Sequence, residues 1–201
     1  MTAPRIVLAS SSRYRAELFS RLSLEFETLS PDFDERSQDH RFSKLTPAEF
    51  ALHLARGKAE AAAAVAPDAW ILAADQIAII PGDPPLLLHK PGSAENAVAQ
   101  LMSLRARVHL LITGVVLRGP DGRAFEEADH HEMGMRAFSE SEARAYVEAH
   151  SPLDSVGAYH IEDAGIALFE YARGDDFTGI IGLPLMRVGR LLRRAGLLRD
   201  A

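Results

Sequence analysis

The sequence contains no cysteine among its 201 residues, so disulfide bonds, thiolate nucleophiles and zinc sites with thiolate ligands are excluded. It also lacks any run of the roughly 18 apolar residues that a membrane-spanning helix needs. The first residues, Met1 to Arg5, have no apolar core of the kind found in a signal peptide, and they lead directly into a predicted strand. We therefore expect a cytoplasmic protein that does not associate with membranes.

Basic residues are not in excess either. The chain has 22 lysines and arginines against 28 aspartates and glutamates, which gives a formal net charge of −6. Since a nucleic-acid-binding protein needs positive charge against the phosphate backbone, we expect no nucleic-acid partner. A small phosphorylated ligand needs only a few local cations and is compatible with this charge. The length suits a single domain over residues 1–201, or two small lobes.

The most informative stretch is the apolar run from Trp70 to Ile80, which predicts a buried strand between turn residues. Asp75 lies in the middle of this run, and we predict that the strand breaks there. A carboxylate in such a place costs free energy unless it is paired, hydrogen-bonded or bound to a metal. Asp75 is therefore either a structural residue that turns the chain or caps a neighbouring segment, or part of a functional site.

A cluster of hydroxyl groups, Ser10 to Ser12, follows a predicted short strand at residues 5–9 and precedes a predicted helix. A strand, a hydroxyl cluster and a helix in this order present backbone N–H groups and hydroxyls to an anion. One serine is enough to cap the helix, so the others are what an anion site would explain. Arg13 and Arg15 are unfavourable beside the positive end of a helix, and an anionic ligand would offset that repulsion.

Strands and helices alternate along the rest of the chain. Capping boxes at Thr46 and Ser139 predict helices that end near Ala64 and His150. Further predicted segments are strands at residues 24–29, 108–117, 123–138 and 166–169, a mobile segment at 36–45, a helix capped by Ser93, and a final helix ending near Gly196. The pattern predicts a mixed α/β fold, in which ligands collect at strand ends and helix starts.

Several short segments, taken in order, resemble the Maf family of nucleoside triphosphate pyrophosphatases. The resemblance extends from Leu8 to about Leu192, and its specificity comes from the order of segments that are individually short. These segments are Leu8-Ala-Ser-Ser-Ser12 with Arg15, Asp34-Glu35, Ala55-Arg56-Gly-Lys58-Ala59, Ala74-Asp75-Gln76, Lys90-Pro91, Thr113-Gly114, Gly157-Ala-Tyr159 and Gly182-Leu-Pro-Leu185.

The resemblance implies an α/β fold of the ITPase-like kind, with two lobes around a long mixed sheet and the nucleotide in the cleft between them. It also implies hydrolysis of a nucleoside triphosphate between the α and β phosphates, a divalent cation (Mg²⁺ or Mn²⁺) and a homodimer. Asp75 matches the family's catalytic carboxylate. The positions that match phosphate-binding residues are Ser10, Ser12, Arg15, Lys58 and Lys90, and those that match metal ligands are Glu35 and Asp75.

These residue types suit the implied chemistry. Attack of water on a phosphoryl group requires that the oxygen charges be neutralised and that the nucleophile be positioned. Magnesium is a hard ion that prefers oxygen ligands such as carboxylates, and Asp75, or a water that it orients, could act as the base. Each residue also has a structural interpretation: Lys58 as a solvated helix residue, Lys90 as a loop charge, and Glu35 as part of a solvated acidic loop.

Two positions depart from the family pattern beside matched residues. Arg13 stands where the family often has proline, and His89 stands where it often has glycine before the lysine–proline pair. Both substitutions affect loop shape and the register of the phosphates more than the chemistry. His89 has no acidic or histidine neighbour at ligand spacing, so we interpret it as a substitution and not as a metal ligand.

Three positions, Tyr14, Gln76 and Glu162, distinguish subgroups of the family, and here they resemble the subgroup that acts on 7-methyl-GTP. Methylated guanine carries positive charge, which an aromatic face and a carboxylate both favour. The structural alternatives are helix packing for Tyr14 and an ordinary surface charge for Glu162. Two other functions stay open: a dTTP/UTP pyrophosphatase of the same family, and a non-catalytic nucleotide-binding regulator of cell division.

Overall fold

The computed structural model describes residues 4–198, which contain seven strands and six α-helices. Two 3-10 helices also form, at Arg36–Lys44 and Ala164–Leu168. The strands are β1 (Ile6–Ala9), β2 (Glu27–Leu29), β3 (Trp70–Ile80), β4 (Leu86–Leu88), β5 (Val108–Arg118), β6 (Ala124–Met135) and β7 (Phe169–Arg173). The α-helices are α1 (Arg13–Ser20), α2 (Pro47–Val65), α3 (Ala94–Leu104), α4 (Glu140–His150), α5 (Phe177–Ile181) and α6 (Leu185–Arg194).

The strands form a mixed sheet in the order β2-β1-β3-β5-β6-β7, with β4 paired to β3. Strand β1 runs parallel to β2 and to β3, and Leu8 pairs with Leu72 in this register. Strand β4 is antiparallel to β3, and β7 is antiparallel to β6. The mixed α/β architecture expected from the sequence is therefore confirmed.

Residues 4–198 divide into two compact units, one made of residues 4–76, 112–129 and 176–198, the other of residues 77–111 and 130–175. In the first unit, alternate residues of β1 enter different hydrophobic clusters, as the two-residue period of a strand requires. Ile6 and Leu8 pack with α1 and α6, whereas Val7 and Ala9 pack with the alanines of α2. The single domain expected over residues 1–201 stays a prediction.

The second unit contains helices α3 and α4, which pack against each other. Each helix begins at a serine whose hydroxyl accepts a hydrogen bond from the first turn, Ser93 for α3 and Ser139 for α4. The apolar face of α3 is buried at Leu101 and Leu104, and that of α4 at Val147. The predicted starts of both helices are confirmed, as is the capping box of α2 between Thr46 and Glu49.

Three local expectations were wrong. Strand β3 continues through Asp75 without a break, because the buried carboxylate has a cationic partner. The segment expected to be mobile forms the 3-10 helix Arg36–Lys44, where Asp34 accepts hydrogen bonds from the amide and hydroxyl of Ser37. The strand expected at residues 166–169 begins only at Phe169, since the preceding chain forms a tight 3-10 turn in which Gly165 packs against the backbone of residue 160.

No helix within residues 4–198 combines the length and the apolar composition needed to cross a bilayer.

Candidate active site

The ammonium group of Lys58 bridges two carboxylates in the first unit. Lys58 lies on α2 and Asp75 lies on β3, and their side chains are only 10% and 4% exposed. Lys58 Nζ donates a hydrogen bond to Asp75 Oδ1 and lies 2.7 Å from Glu35 Oε1. Glu35 is more open, with 41% of its side chain exposed. A buried carboxylate, a cation and a second, solvent-facing carboxylate therefore meet at one point.

Small residues on α2 allow this meeting. Ala55, Ala59 and Ala62 pack against β1 and β3, so the helix axis can approach the sheet closely. Gly57, next to Lys58, packs against the ring of Phe33, and a Cβ at this position would lie 2.2 Å from that ring. The ring of Phe33 thus fits against the helix two residues before Glu35, which brings the acidic loop to the lysine.

The charge state of Asp75 reflects opposing influences. Burial raises the pKa of the Asp75 carboxyl above its ordinary value, the neighbouring Lys58 ammonium lowers this pKa, and Glu35 raises it. A carboxylate whose pKa is raised towards the working pH is a better general base than an ordinary aspartate. Within residues 4–198, the second oxygen of Asp75, Oδ2, accepts no hydrogen bond, so it can receive a proton.

The serine turn, residues Ser10 to Ser12, caps helix α1. Ser12 Oγ accepts a hydrogen bond from the Arg15 amide at 3.4 Å, and Ser10 Oγ accepts one from the Ser12 amide at 3.1 Å. Ser12 is therefore the serine of this cluster that caps the helix. Each hydroxyl oxygen accepts its hydrogen bond from a backbone amide, and the O–H group of each serine is a suitable hydrogen-bond donor for an anion. The role of Ser10 and Ser12 in phosphate binding stays a prediction.

The guanidinium of Arg15 is held beside Asp75 by backbone carbonyls. Its Nε donates to Gly182 O at 2.9 Å, and its Nη1 donates to Ala74 O at 2.8 Å. Burial lowers the pKa of Arg15, and the charges of Asp75 and Glu35 oppose this effect. Gly182 has φ = 112°, a conformation that favours glycine, and this turn presents its carbonyl to Arg15.

Two of the predicted specificity residues lie in the same unit. The Gln76 amide, next to Asp75, donates from Nε2 to Gly179 O at 2.7 Å and to Thr113 Oγ1 at 3.1 Å. Tyr14 Oη accepts a hydrogen bond from Arg13 Nη2 at 2.7 Å, and the Arg13 guanidinium carbon lies 4.6 Å from the Tyr14 ring centre. The sequence did not indicate the Thr113 contact, although Thr113 belongs to one of the matched segments.

Lys90 and Glu162 belong to the second unit. Lys90 is exposed and follows β4. Glu162 is half-buried just before the 3-10 helix Ala164–Leu168, and this burial raises the pKa of its carboxyl. The joint action of these two residues with the groups of the first unit stays a prediction.

A divalent cation is implied by the family resemblance, so its fit to the donor set can be tested. No group of three or more histidines and carboxylates within residues 4–198 could hold a metal ion by itself. Glu35 and Asp75 supply carboxylate oxygens around a point where one cation, the Lys58 ammonium, already binds. Because Mg²⁺ is commonly bound by one or two carboxylates together with substrate phosphates, this pair fits such an ion.

A family model and curated relatives each match nearly the whole chain. The family model described as "Maf-like protein" matches residues 5–195. A 7-methyl-GTP pyrophosphatase of Xanthomonas campestris pv. campestris is 41% identical over 193 residues, which are 96% of this chain and 97% of that protein. A 7-methyl-GTP pyrophosphatase of Bordetella parapertussis is 41% identical over 195 residues, 96% of this chain and 94% of that protein.

Solved structures with some likeness include the Ham1 protein of Staphylococcus aureus, with a TM-score of 0.46 and 18% identity over 65% of this chain and 71% of that one. Another is a nucleoside-triphosphatase, or dITP/XTP pyrophosphatase, of Mycobacterium abscessus, with a TM-score of 0.41 and 17% identity over 65% of this chain and 74% of that one.

Proposed function

Because the chain belongs to the Maf family, we propose that it is a nucleoside triphosphate pyrophosphatase that hydrolyses 7-methyl-GTP to 7-methyl-GMP and pyrophosphate. The observation that carries this proposal is the Lys58 ammonium shared by the buried Asp75 and the open Glu35. The relatives named as 7-methyl-GTP pyrophosphatases support the substrate, since they match nearly the whole chain at 41% identity.

Asp75 is the proposed general base. Water attacks the α-phosphorus of the α–β anhydride. The proton that the water loses passes to Asp75 Oδ2, the oxygen that accepts no hydrogen bond from Lys58. The raised pKa of Asp75 favours this transfer. The bond between the bridging oxygen and phosphorus breaks, and pyrophosphate leaves with that bond's electron pair.

Arg15, Lys58 and the serine turn are proposed to hold the phosphates. The guanidinium of Arg15 is oriented by two carbonyls, so binding an anion costs little further ordering of its side chain. Fixed cations stabilise the negative charge that develops on phosphoryl oxygens in the transition state. We include Lys90 of the second unit in this set on the strength of the family resemblance.

Glu35 and Asp75 are the residues that would hold a magnesium or manganese ion. Such an ion would supply charge neutralisation at the phosphates and would acidify a bound water. Glu35 is the more open of the two carboxylates, so it can contact an ion that arrives from solvent together with the substrate.

The base is proposed to be selected by Tyr14, Gln76 and Glu162. The guanidinium carbon of Arg13 lies 4.6 Å from the centre of the Tyr14 ring. At this distance the ring attracts a cation by cation–π interaction. Glu162 would accept hydrogen bonds from guanine N–H groups and attract the positive charge of the methylated ring. The homodimer, the cytoplasmic location and the cleft between two lobes remain further parts of this proposal.

Product and substrate analysis tests the function. The purified protein with Mg²⁺ or Mn²⁺ should release monophosphate and pyrophosphate, and chelation should stop the reaction. We expect kcat/KM for 7-methyl-GTP to exceed that for UTP, dTTP and GTP by at least about tenfold. This is the conservative end of the preference that a desolvated cation–π contact would give. Release of orthophosphate would contradict the reaction, whereas a preference for UTP or dTTP would contradict only the choice of base.

A further inference from the structure

Asp176 and Thr178, at the start of α5, form a buried hydrogen-bonded pair that the proposed chemistry does not use. Asp176 is 3% exposed. Its Oδ1 accepts hydrogen bonds from the amide and the hydroxyl of Thr178, at 3.0 and 2.5 Å, and its Oδ2 accepts one from the Met186 amide at 2.7 Å. The carboxylate therefore binds the first turns of both α5 and α6.

The Thr178 hydroxyl completes the connection. Its Oγ1 accepts a hydrogen bond from the Leu185 amide at 2.8 Å while its proton is donated to Asp176. The Asp176–Thr178 pair thus joins the start of α5 to the start of α6 and closes the turn of residues 182–184. These side chains replace the intrahelical partners that the first amides of a helix lack.

The segment closed by this pair presents carbonyl groups to the Gln76 amide. Gln76 Nε2 donates to Gly179 O at 2.7 Å and to Ile180 O at 3.3 Å, both in α5. A flipped amide would put Gln76 Oε1 against these carbonyl oxygens, and two acceptors cannot bond each other. The contacts therefore determine which end of the amide faces α5.

The other end of the Gln76 amide is consequently an acceptor. Oε1 accepts no hydrogen bond from any residue in the range 4–198, since every hydrogen bond of the Gln76 side chain there is donated by Nε2. A ligand group that meets Oε1 must bring an N–H or O–H donor. The pairing edge of guanine carries two adjacent donors, N1–H and the 2-amino group, whereas the edge of uracil carries one.

We propose that Asp176 and Thr178 are positioning residues for base selection, because they hold the α5 carbonyls that turn Gln76 Oε1 towards the base as an acceptor. This inference rests on the proposed function, in which Gln76 contacts the base. Neither residue touches the substrate; both act through the backbone of α5.

The test compares Thr178→Val with Thr178→Ser. Valine keeps the shape of threonine but removes the hydroxyl that accepts from Leu185 and donates to Asp176, whereas serine keeps this hydroxyl. Val188→Ala, which removes buried volume from α6 and none of the hydrogen bonds of the pair, controls for general destabilisation. For each variant, kcat/KM is measured with 7-methyl-GTP and with UTP on one preparation, because their ratio does not depend on the folded fraction.

Thr178→Val should lower the ratio of kcat/KM for 7-methyl-GTP to that for UTP by about threefold to tenfold, the worth of one oriented hydrogen bond. Thr178→Ser and Val188→Ala should keep the wild-type ratio. An unchanged ratio in Thr178→Val, or an equal fall in Val188→Ala, would overturn the positioning role. Wild-type protein that hydrolyses no triphosphate would instead overturn the proposed function, so the two failures are distinguishable.

Discussion

Two buried polar pairs, one in each unit, differ in charge. In the first unit, Lys58 and Asp75 form an ion pair that Glu35 extends towards solvent. In the second unit, His109 Nε2 lies 2.7 Å from Tyr159 Oη, and the Tyr159 ring packs edge-on against Phe169. Burial lowers the pKa of His109 to about 4 and raises the pKa of Tyr159, so both members of this pair are neutral near pH 7.

The difference shows what each pair is suited for. An ion pair in a buried place depends on both partners, because removal of either leaves an uncompensated charge. It can also exchange its partner for a charged ligand, which is the property a phosphate-handling site needs. The neutral pair needs only its hydrogen bond and packing, and its remaining ring nitrogen, Nδ1, has no hydrogen-bond partner within residues 4–198. We therefore interpret the second pair as structural.

Asp75→Asn gives the largest expected effect and tests the charged pair directly. The amide keeps the size of the side chain but cannot take up a proton, so kcat should fall by about 10²–10⁴-fold, as is typical when general base catalysis is removed. The measurement is pyrophosphate release, with circular dichroism to establish folding. The matched control, His109→Gln in the neutral pair, should keep a far larger share of activity. Near-normal turnover in a folded Asp75→Asn protein would refute the role of Asp75.

Lys58→Met tests how strongly the two carboxylates depend on their cation. Methionine keeps most of the aliphatic volume but leaves Asp75 buried without its ammonium, which should lower the free energy of unfolding by roughly 3–5 kcal/mol. Urea denaturation measures this change. The double variant Lys58→Met with Asp75→Asn removes both charges and should recover much of the loss. If the double variant is less stable than Lys58→Met alone, the loss in the single variant does not come from an uncompensated charge.

The pH dependence of stability should distinguish the pairs by sign. The folded-state pKa of His109 is about 4, below its ordinary 6.5, so the stability it contributes is present above pH 6.5 and is lost as pH falls towards 4. The raised pKa of the Asp75 carboxyl has the opposite effect on stability. The stability that its protonated form contributes is lost as the pH rises through this raised pKa. The His109 contribution amounts to about 3 kcal/mol.

Denaturation midpoints of wild type and His109→Gln at several pH values between 4 and 7 measure this contribution. The variant should show a flatter decline on the acid side than the wild type, because it has no buried imidazole to protonate. Parallel pH profiles for the two proteins would show that another group causes the decline.

Helix starts could be predicted from the sequence because their signals are local. The capping boxes at Thr46 and Ser139 each involve a glutamate three residues away, and this spacing is visible in the chain itself. The cap at Asp176 was missed, although an acidic residue before a short apolar run is the same kind of local signal. Its second partner, the amide of Met186, belongs to the next helix and cannot be recognised from the residues around Asp176.

The site was only partly accessible from the sequence. The residue types at positions 15, 35, 58 and 75 indicated phosphate and metal chemistry, and the family resemblance assigned their roles. The break expected in β3 was wrong, because the partner that makes a continuous strand possible, Lys58, lies on a different element. The carbonyls that hold Arg15 and Gln76 were equally hidden, since backbone groups have no identity in a sequence.

The sequence by itself determined the chemistry that is available, the helix starts at Thr46, Ser93 and Ser139, and the family. Composition, local periodicity and short motifs depend on residues that are close in the chain. Only the tertiary structure decided that one ammonium serves both Asp75 and Glu35, and that Gln76 turns its oxygen away from α5. These outcomes depend on how closely the alanine face of α2 approaches β1 and β3 and on where the α5 carbonyls point. Packing brings together groups far apart in the chain, and a buried charge is stable only where packing supplies its partner.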